Sequence, residues 1–157
     1  MQPYKFVTVK DNYYEFTNAA GTKYACYFLS YANYFSEYKE IANNVYAFNI
    51  DVLQKGTTSI IDPRIGSTIV QIIKTFLNGL TNAVVYVCDA SDNKELLRKR
   101  KFDAWFREYD DGTIIKIDGQ ISVEDFNIYN AILIHKDNPK KNRFIEAFND
   151  LNNADEK

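Results

Sequence analysis

Apolar and polar side chains alternate along roughly the first fifty residues, in short segments separated by turn residues. Alternation with a period of two is typical of strands that bury one face. Turn signals fall at 10–12 and 18–22, and Gly21 in the second turn is free to adopt a positive φ angle. The pattern predicts a meander of antiparallel strands over 4–9, 14–17, 24–28 and 45–52. Residues 31–44 fit either a short helix or an ordered loop.

From residue 62 onward the apolar spacing changes to that of helices. Asp62 is suited to cap a helix and Pro63 to occupy its first position, and a broad apolar stripe follows as far as Leu77. The continuous apolar run 83–88 predicts an interior strand. Asp92 and Glu95 have the spacing of a capping box, which predicts a second helix ending at 110–112.

The last third of the chain predicts two more strands and a third helix. The strands are expected over 113–117 and 131–135, with a turn at Asp118 and Gly119, and the helix begins at Asn138 and Pro139. Residues 152–157 are expected to fray. The prediction is one α+β domain of residues 1–151, a largely antiparallel sheet with about three helices packed on it.

Composition excludes several classes of function. The 157 residues have a net charge of −2, so the chain as a whole is no general nucleic-acid binder. The 12 Tyr and 11 Phe suit half-buried sheet faces better than they indicate a recognition surface. Cys26 and Cys88 are expected to be buried thiols in a reducing cytoplasm. The N-terminus has no apolar segment and no apolar run could span a bilayer, so a cytoplasmic protein is expected.

Four consecutive cations, 98–101, lie in the first half of the second predicted helix. Arg98 shares a helical stripe with Phe102, Trp105 and Tyr109, and that stripe should face the sheet. An arginine there must pair, stack on a ring or extend to the rim. Pairing with Asp89, at the end of the preceding strand, is favoured over the binding of an anionic ligand. The candidate ligand-binding residues are Arg98, Arg100, Asp89, Trp105 and Lys140.

Other cations would join Arg100 if the second and third helices began at one edge of the sheet. These are Lys99, Lys136, Lys140, Lys141 and Arg143. Such a patch could attract nucleic acid or an acidic partner, although interspersed acidic residues favour a solvated surface of mixed charge. His135 has no second histidine beside it, and four carboxylates fit turns: Asp110, Asp111, Glu124 and Asp125. No catalytic or metal-binding motif occurs, and no cofactor is expected.

A series of short blocks follows the strand 83–88. They are Tyr86-x-Cys88-Asp89, Ser91-Asp92, Arg98-x-Arg100-Lys101-Phe102, Trp105-Phe106 and Asp137-Asn138-Pro139. In these blocks, over 86–151, the chain resembles a family of small uncharacterised bacterial proteins, a domain-of-unknown-function family, and the N-terminal meander is similar as well. The resemblance implies a shared fold and a bacterial origin, and it supplies no catalytic residues.

The order of elements after Val45 is similar to the later half of the GNAT N-acyltransferase fold, in which the start of a helix holds the pyrophosphate of acetyl-CoA. The corresponding stretch here is 62–68. Pro63 stands where that family has Gln or Arg, and Thr68 where it has a small residue, so the resemblance implies a degenerate acyl-CoA loop.

The expected function is therefore a non-catalytic binding or regulatory domain that acts on another macromolecule, most simply a protein. A diverged N-acyltransferase that binds acyl-CoA is the alternative. Nucleic-acid binding through the basic starts of the helices is a weaker one.

Overall fold

The structure, a computed structural model, describes residues 2–57, 61–88, 93–123 and 126–153. In these ranges the chain forms one seven-stranded sheet and three α-helices, which confirms the predicted α+β class. The strands are β1 (Val7–Lys10), β2 (Tyr13–Thr17), β3 (Lys23–Ser30), β4 (Val45–Gln54), β5 (Ala83–Cys88), β6 (Ile114–Val123) and β7 (Phe126–His135). The helices are α1 (Pro63–Leu77), α2 (Glu95–Tyr109) and α3 (Lys141–Asn153). Across the sheet the strand order is β1-β2-β3-β4-β5-β7-β6, and all neighbours are antiparallel except β4 and β5.

The predicted meander is confirmed in β1–β4. Its second turn is closed by Asn18, whose side chain accepts the Thr22 N–H at 2.9 Å, and Gly21 adopts a φ of 84°. Residues 31–44 contain two short 3₁₀ helices, Ala32–Phe35 and Ala42–Asn44. Phe35 in the first of them and Ile41, immediately before the second, are buried, so this segment is an ordered part of the fold.

Helix α1 forms as its sequence predicts. The Asp62 carboxylate accepts the Arg64 N–H at 3.0 Å, and Pro63 occupies the first position. The apolar stripe is buried against the meander, where the Phe76 ring stacks on Phe28 with 3.9 Å between centroids. Burial of one such side chain stabilises the fold by about 1.5–3 kcal/mol, so the stripe anchors α1 firmly.

The two faces of the sheet carry different helices. α1 and α2 cover one face, in a core that includes Val84 and Leu133. α3 covers the other face of β5 and β7, where Phe144 packs with Val85 and its neighbours. Successive residues of a strand point to opposite faces, so Val84 and Val85 belong to different cores. No helix in the described ranges is long and apolar enough to cross a membrane.

The parallel strands β4 and β5 pair only at their first residues. Their ladder ends at Ala47 and Val85, although both strands continue. Aromatic rings line the region beyond: Tyr86 stacks on Phe102 at 3.7 Å between centroids, and Phe48 lies 6.2 Å from Tyr86. Parallel strands end at the same edge of a sheet, so the segments leading into α1 and α2 leave from one edge.

The predicted turn at Asp118 and Gly119 is wrong. Both residues lie inside β6, where they pair with Ala131 and Asn130 of β7. A Cβ at position 119 would lie 2.4 Å from the side-chain oxygen of Asn130 and 2.5 Å from Nδ2 of Asn152 in α3. The glycine therefore permits a close approach of side chains to the strand, which is a known reason for glycine within a sheet.

The boundaries of two helices also differ from the prediction. α2 begins at Glu95, with Lys94 in the cap position and no side-chain cap. The predicted capping box depends on Asp92, which lies outside the described residues. α3 continues to Asn153, and residues 154–157 lie outside the described part of the chain.

Candidate functional site

Helix α2 carries four consecutive candidate cations, 98–101, and is held to the molecule by few side chains. Phe102 and Phe106 are its buried residues. The half-buried indole of Trp105 lies against the backbone of Gly66 in α1, where an added Cβ would come within 2.2 Å of the ring. This contact brings the two helices close together and fixes which side of α2 faces α1.

The side of α2 that carries Trp105 continues past the start of α1. Both helices follow parallel strands and run in the same direction. α1 has three residues (63–65) before Gly66, whereas α2 has ten (95–104) before Trp105. Leu97, Arg98 and Lys101 precede Trp105 by eight, seven and four positions and so lie near the same side of the helix. An open concavity of about 600 Å³ lies along this part of α2, lined by Lys94, Leu97, Arg98, Arg100 and Lys101.

This lining combines positive charge with exposed apolar surface. Leu97 is 65% exposed and the adjacent Leu96 is 41% exposed. The Lys101 ammonium lies 5.5 Å from the centroid of the Trp105 ring. Sequence reasoning did not single out these leucines, although two adjacent leucines just before a run of cations were a visible signal. Cations near the start of a helix oppose its dipole, so an anionic group bound here would be stabilising.

Arg98 lies near the end of β5, as the stripe predicts. It is half-buried, and its positive charge opposes the pKa increase that burial causes at Tyr86 and Cys88. The predicted stripe is correct in facing the core, and Phe106 is an additional buried member of that side. The proposed partner, Asp89, lies outside the described residues.

Two cysteines are buried free thiols, as predicted. Burial raises the pKa of Cys88 in spite of a hydrogen bond from the Tyr86 hydroxyl, and burial raises the pKa of Cys26 to about 12. Both thiols are therefore protonated at neutral pH and are poor nucleophiles.

Lys99 belongs to an ion-pair network that ties α2 to β6. Its ammonium lies 2.5 Å from one oxygen of Asp103, and Lys116 of β6 lies 2.6 Å from the other. Partial burial on its own would raise the pKa of Asp103. The hydrogen bonds from Lys116 and Lys99 outweigh that effect and lower the pKa.

The condition for the basic residues to converge, that α2 and α3 begin at one edge of the sheet, is not met. β5 and β7 are antiparallel, and Cys88 pairs with Tyr129 while Ala83 pairs with Ile134. α2 follows the Cys88 end and α3 follows the opposite end, and the two helices cover opposite faces. Lys140 therefore lies far from Arg98 and Arg100. Its ammonium donates to the carbonyl of Glu40.

The start of α1, where the acyl-CoA resemblance falls, is occupied by the chain itself. The Tyr4 hydroxyl donates to Asp62 at 2.5 Å, and the Tyr4 N–H donates to the Thr68 hydroxyl at 2.8 Å. The Arg64 guanidinium lies 3.9 Å from the centroid of the Tyr4 ring. A carboxylate fixed at the start of a helix takes the place that a phosphate would need.

Other candidate groups have structural partners. Nδ1 of His135 accepts the Asp137 N–H at 3.0 Å, and the carboxylates of Asp110 and Asp111 accept turn N–H groups as predicted. Glu124 and Asp125 lie outside the described residues. Among the residues that the structure describes, no group of three or more His, Cys, Asp and Glu side chains could hold a metal ion.

Comparison with known proteins gives a match to a protein family. Residues 61–150 match the model of a family of unknown function, DUF6169. No curated protein and no solved structure matches the chain. The matched segment contains α1, β5, α2, β6, β7 and most of α3, and so includes the concavity on α2.

Proposed function

The chain belongs to DUF6169, a family of unknown function, and we propose from its geometry that it is a non-catalytic binding domain. It holds an acidic segment of a partner protein on the first two turns of α2. The observation that carries the proposal is the concavity in which cationic side chains adjoin Leu97. A segment with carboxylates next to an apolar residue would complement both features, because charge sets orientation and apolar contact adds affinity.

A protein segment suits this surface better than nucleic acid does. Leu96 and Leu97 offer nothing to a phosphate backbone, and a nucleic-acid interface depends on many phosphate contacts. The net charge of −2 would also repel a polyanion at long range.

A diverged N-acyltransferase is the second candidate. It is favoured by α1 and α2 following a parallel strand pair that stops pairing after Ala47 and Val85. It is opposed by Asp62 and Tyr4, which fill the start of α1. We favour the binding domain on this ground.

A bacterial cytoplasmic protein is part of the same proposal. The free buried thiols Cys26 and Cys88 support a reducing compartment, and the sequence blocks from Tyr86 onward support the bacterial origin.

Fluorescence anisotropy with a labelled peptide that alternates Glu and Leu tests the proposal. The double variant Arg100→Glu/Lys101→Glu should bind at least tenfold more weakly, since two attractive charges become repulsive. The matched control is Lys136→Glu/Lys140→Glu, which makes the same charge change at the other edge of the sheet and also tests the Lys140 candidate. The control should bind as the wild type does, and affinity should fall with added salt. Equal loss in both variants would show a non-specific effect of charge.

Two further titrations separate the alternatives. Calorimetry with acetyl-CoA should show no binding. Micromolar affinity for acetyl-CoA would favour a diverged acyltransferase over a non-catalytic binding domain. A DNA duplex should show no salt-dependent binding near neutral pH, and binding that is tighter than that of the peptide would favour nucleic acid.

A further inference from the structure

A groove lies between the 3₁₀ helix Ala32–Phe35 and α3, on the side of the sheet opposite to α2. Its volume is about 230 Å³, less than the roughly 300–1,000 Å³ of pockets that hold cofactors or drug-sized ligands. The buried side chains of Phe35 and Ala147 contribute to its lining. The groove therefore suits one side chain better than a whole cofactor.

The charged residues of this lining are both acidic. Glu37 follows the 3₁₀ helix and Asp150 lies in the last turns of α3. Both are exposed, and within the described ranges neither has an ion-pair partner. Two carboxylates on facing walls create a negative potential that is not balanced from within the groove.

Aromatic rings accompany the carboxylates. Tyr34 is 61% exposed, and its ring stacks on Tyr31 with 4.3 Å between centroids. This stacking holds an exposed ring in a defined position before any ligand arrives, which reduces the entropy lost on binding. Tyr38 also lines the groove.

The protein contains its own example of what such a lining binds. The guanidinium of Arg143, in the first turn of α3, lies 4.4 Å from the centroid of the Tyr38 ring and forms an ion pair with Glu40. Asp150 lies seven positions further along α3, on the same side of the helix. At that end the described lining of the groove has the same components, tyrosine rings and carboxylates, and includes no cation.

We propose that this groove binds an arginine side chain of a partner protein, with the guanidinium over the Tyr34 ring and between the carboxylates of Glu37 and Asp150. Planar guanidinium groups stack on aromatic rings and pair with carboxylates, which a neutral group of the same shape does not do. The inference rests on a different surface from the proposed function of α2 and stands or fails separately.

NMR titration of the ¹⁵N-labelled protein with N-acetyl-arginine amide tests it, with the neutral isostere N-acetyl-citrulline amide as the control ligand. Arginine should shift the amide signals of Ser36, Tyr38, Ala147 and Leu151 in a saturable way, and citrulline should not. Binding should weaken at least fivefold in Glu37→Gln/Asp150→Asn and at least threefold in Tyr34→Leu. The matched control Glu108→Gln/Asp11→Asn removes two exposed carboxylates elsewhere and should leave the affinity unchanged.

Each other outcome overturns the proposal. Equal shifts with citrulline would mean that charge is not recognised, and unchanged binding by Glu37→Gln/Asp150→Asn would place the site elsewhere. Sedimentation velocity adds a last check. Self-association that disappears in the same double variant would identify a second copy of the chain as the occupant, in place of a foreign partner.

Discussion

Helices α1 and α2 have the same length of 15 residues and pack side by side, yet they are built differently. α1 buries nine residues, and α2 buries two. The start of α1 is capped by Asp62, whereas Lys94 at the start of α2 makes no side-chain cap. α1 is thus fixed by its cap and its apolar stripe, and α2 depends on a few contacts with its neighbours.

The difference separates a helix whose residues mainly stabilise the fold from a helix whose exposed residues are available for binding. In α1, the cap and the apolar stripe outweigh the low helix propensity of Gly66 and of the β-branched residues. In α2, Lys94 and Arg98 place positive charge at the start of the helix, where the dipole disfavours it, and Leu97 is exposed. All three line the concavity. Departures from local rules concentrate at functional sites in proteins generally. The comparison therefore supports α2 as the working surface and α1 as its support.

The largest expected effect is the loss of a core side chain from α1. Ile72 is fully buried, so Ile72→Ala should lower the free energy of unfolding by about 2–5 kcal/mol. Leu97→Ala in α2 should change it by no more than about 0.5 kcal/mol, because that side chain is exposed. Urea denaturation of both variants measures the contrast. Similar losses would mean that α2 contributes to the core as much as α1 does.

The contact between the helices can be tested at Gly66. Gly66→Ala forces a methyl group into the Trp105 ring and should destabilise the protein by about 1–3 kcal/mol, although alanine is the better helix former. Gly79→Ala is the control, because the nearest atom to its Cβ lies at an ordinary 3.9 Å. Thermal unfolding followed by circular dichroism compares the two. A more stable Gly66→Ala protein would show that the indole moves aside without cost.

The cap of α1 should have a smaller effect. Asp62→Ala removes the acceptor for the Arg64 N–H and for the Tyr4 hydroxyl, and should cost about 1–2 kcal/mol. Asp11→Ala, at an exposed turn, is the control. Chemical denaturation curves that coincide for the two variants would mean that water replaces the cap fully.

The ion pairs of α2 predict a dependence on pH. The pKa of Asp103 is lower in the folded protein than the ordinary value of 3.8, so its stabilisation is fully present above 3.8 and is lost as the pH falls through the lowered pKa. Asp103→Asn should therefore destabilise the protein by on the order of 1 kcal/mol at pH 7. The difference from the wild type should vanish in strong acid. Urea denaturation of both proteins at pH 7 and in strong acid checks this. A difference in the free energy of unfolding that is constant with pH would exclude the charge of Asp103 as its cause.

The smallest effect is expected from improving α2. Lys94→Asp places an acceptor at the start of the helix and should raise stability by about 0.5–1 kcal/mol. The same change should weaken binding of the acidic peptide, since it reverses a charge in the concavity. Calorimetric melting and anisotropy report the two effects. Tighter binding by this variant would contradict the proposed site.

Much of the fold follows from local patterns. The alternation in β2 and β3, the cap and stripe of α1, and the buried run of β5 each specify their element without help from the rest of the chain. The stripe through Arg98 and Phe102 was predicted for the same reason, because it is a property of helical spacing alone.

Other features depended on contacts between distant residues. Gly119 is a turn residue by local rules, and only its proximity to Asn130 and Asn152 explains it within a strand. Gly66 lies in the stretch 62–68 that was compared with an acyl-CoA loop, and its packing against Trp105 gives it a different role. The neighbours of these two glycines are distant in the sequence, so local patterns do not identify them.

The basic residues show most clearly which features local sequence determines and which depend on the tertiary structure. The sequence by itself determined most of the segments that become strands and helices, and that α2 opens among cations. Which cations share a surface was decided by the antiparallel pairing of β5 with β7, which sends α2 and α3 to opposite edges. Periodicity acts over a few residues through the geometry of one backbone, whereas strand order follows from how separate apolar faces are buried together.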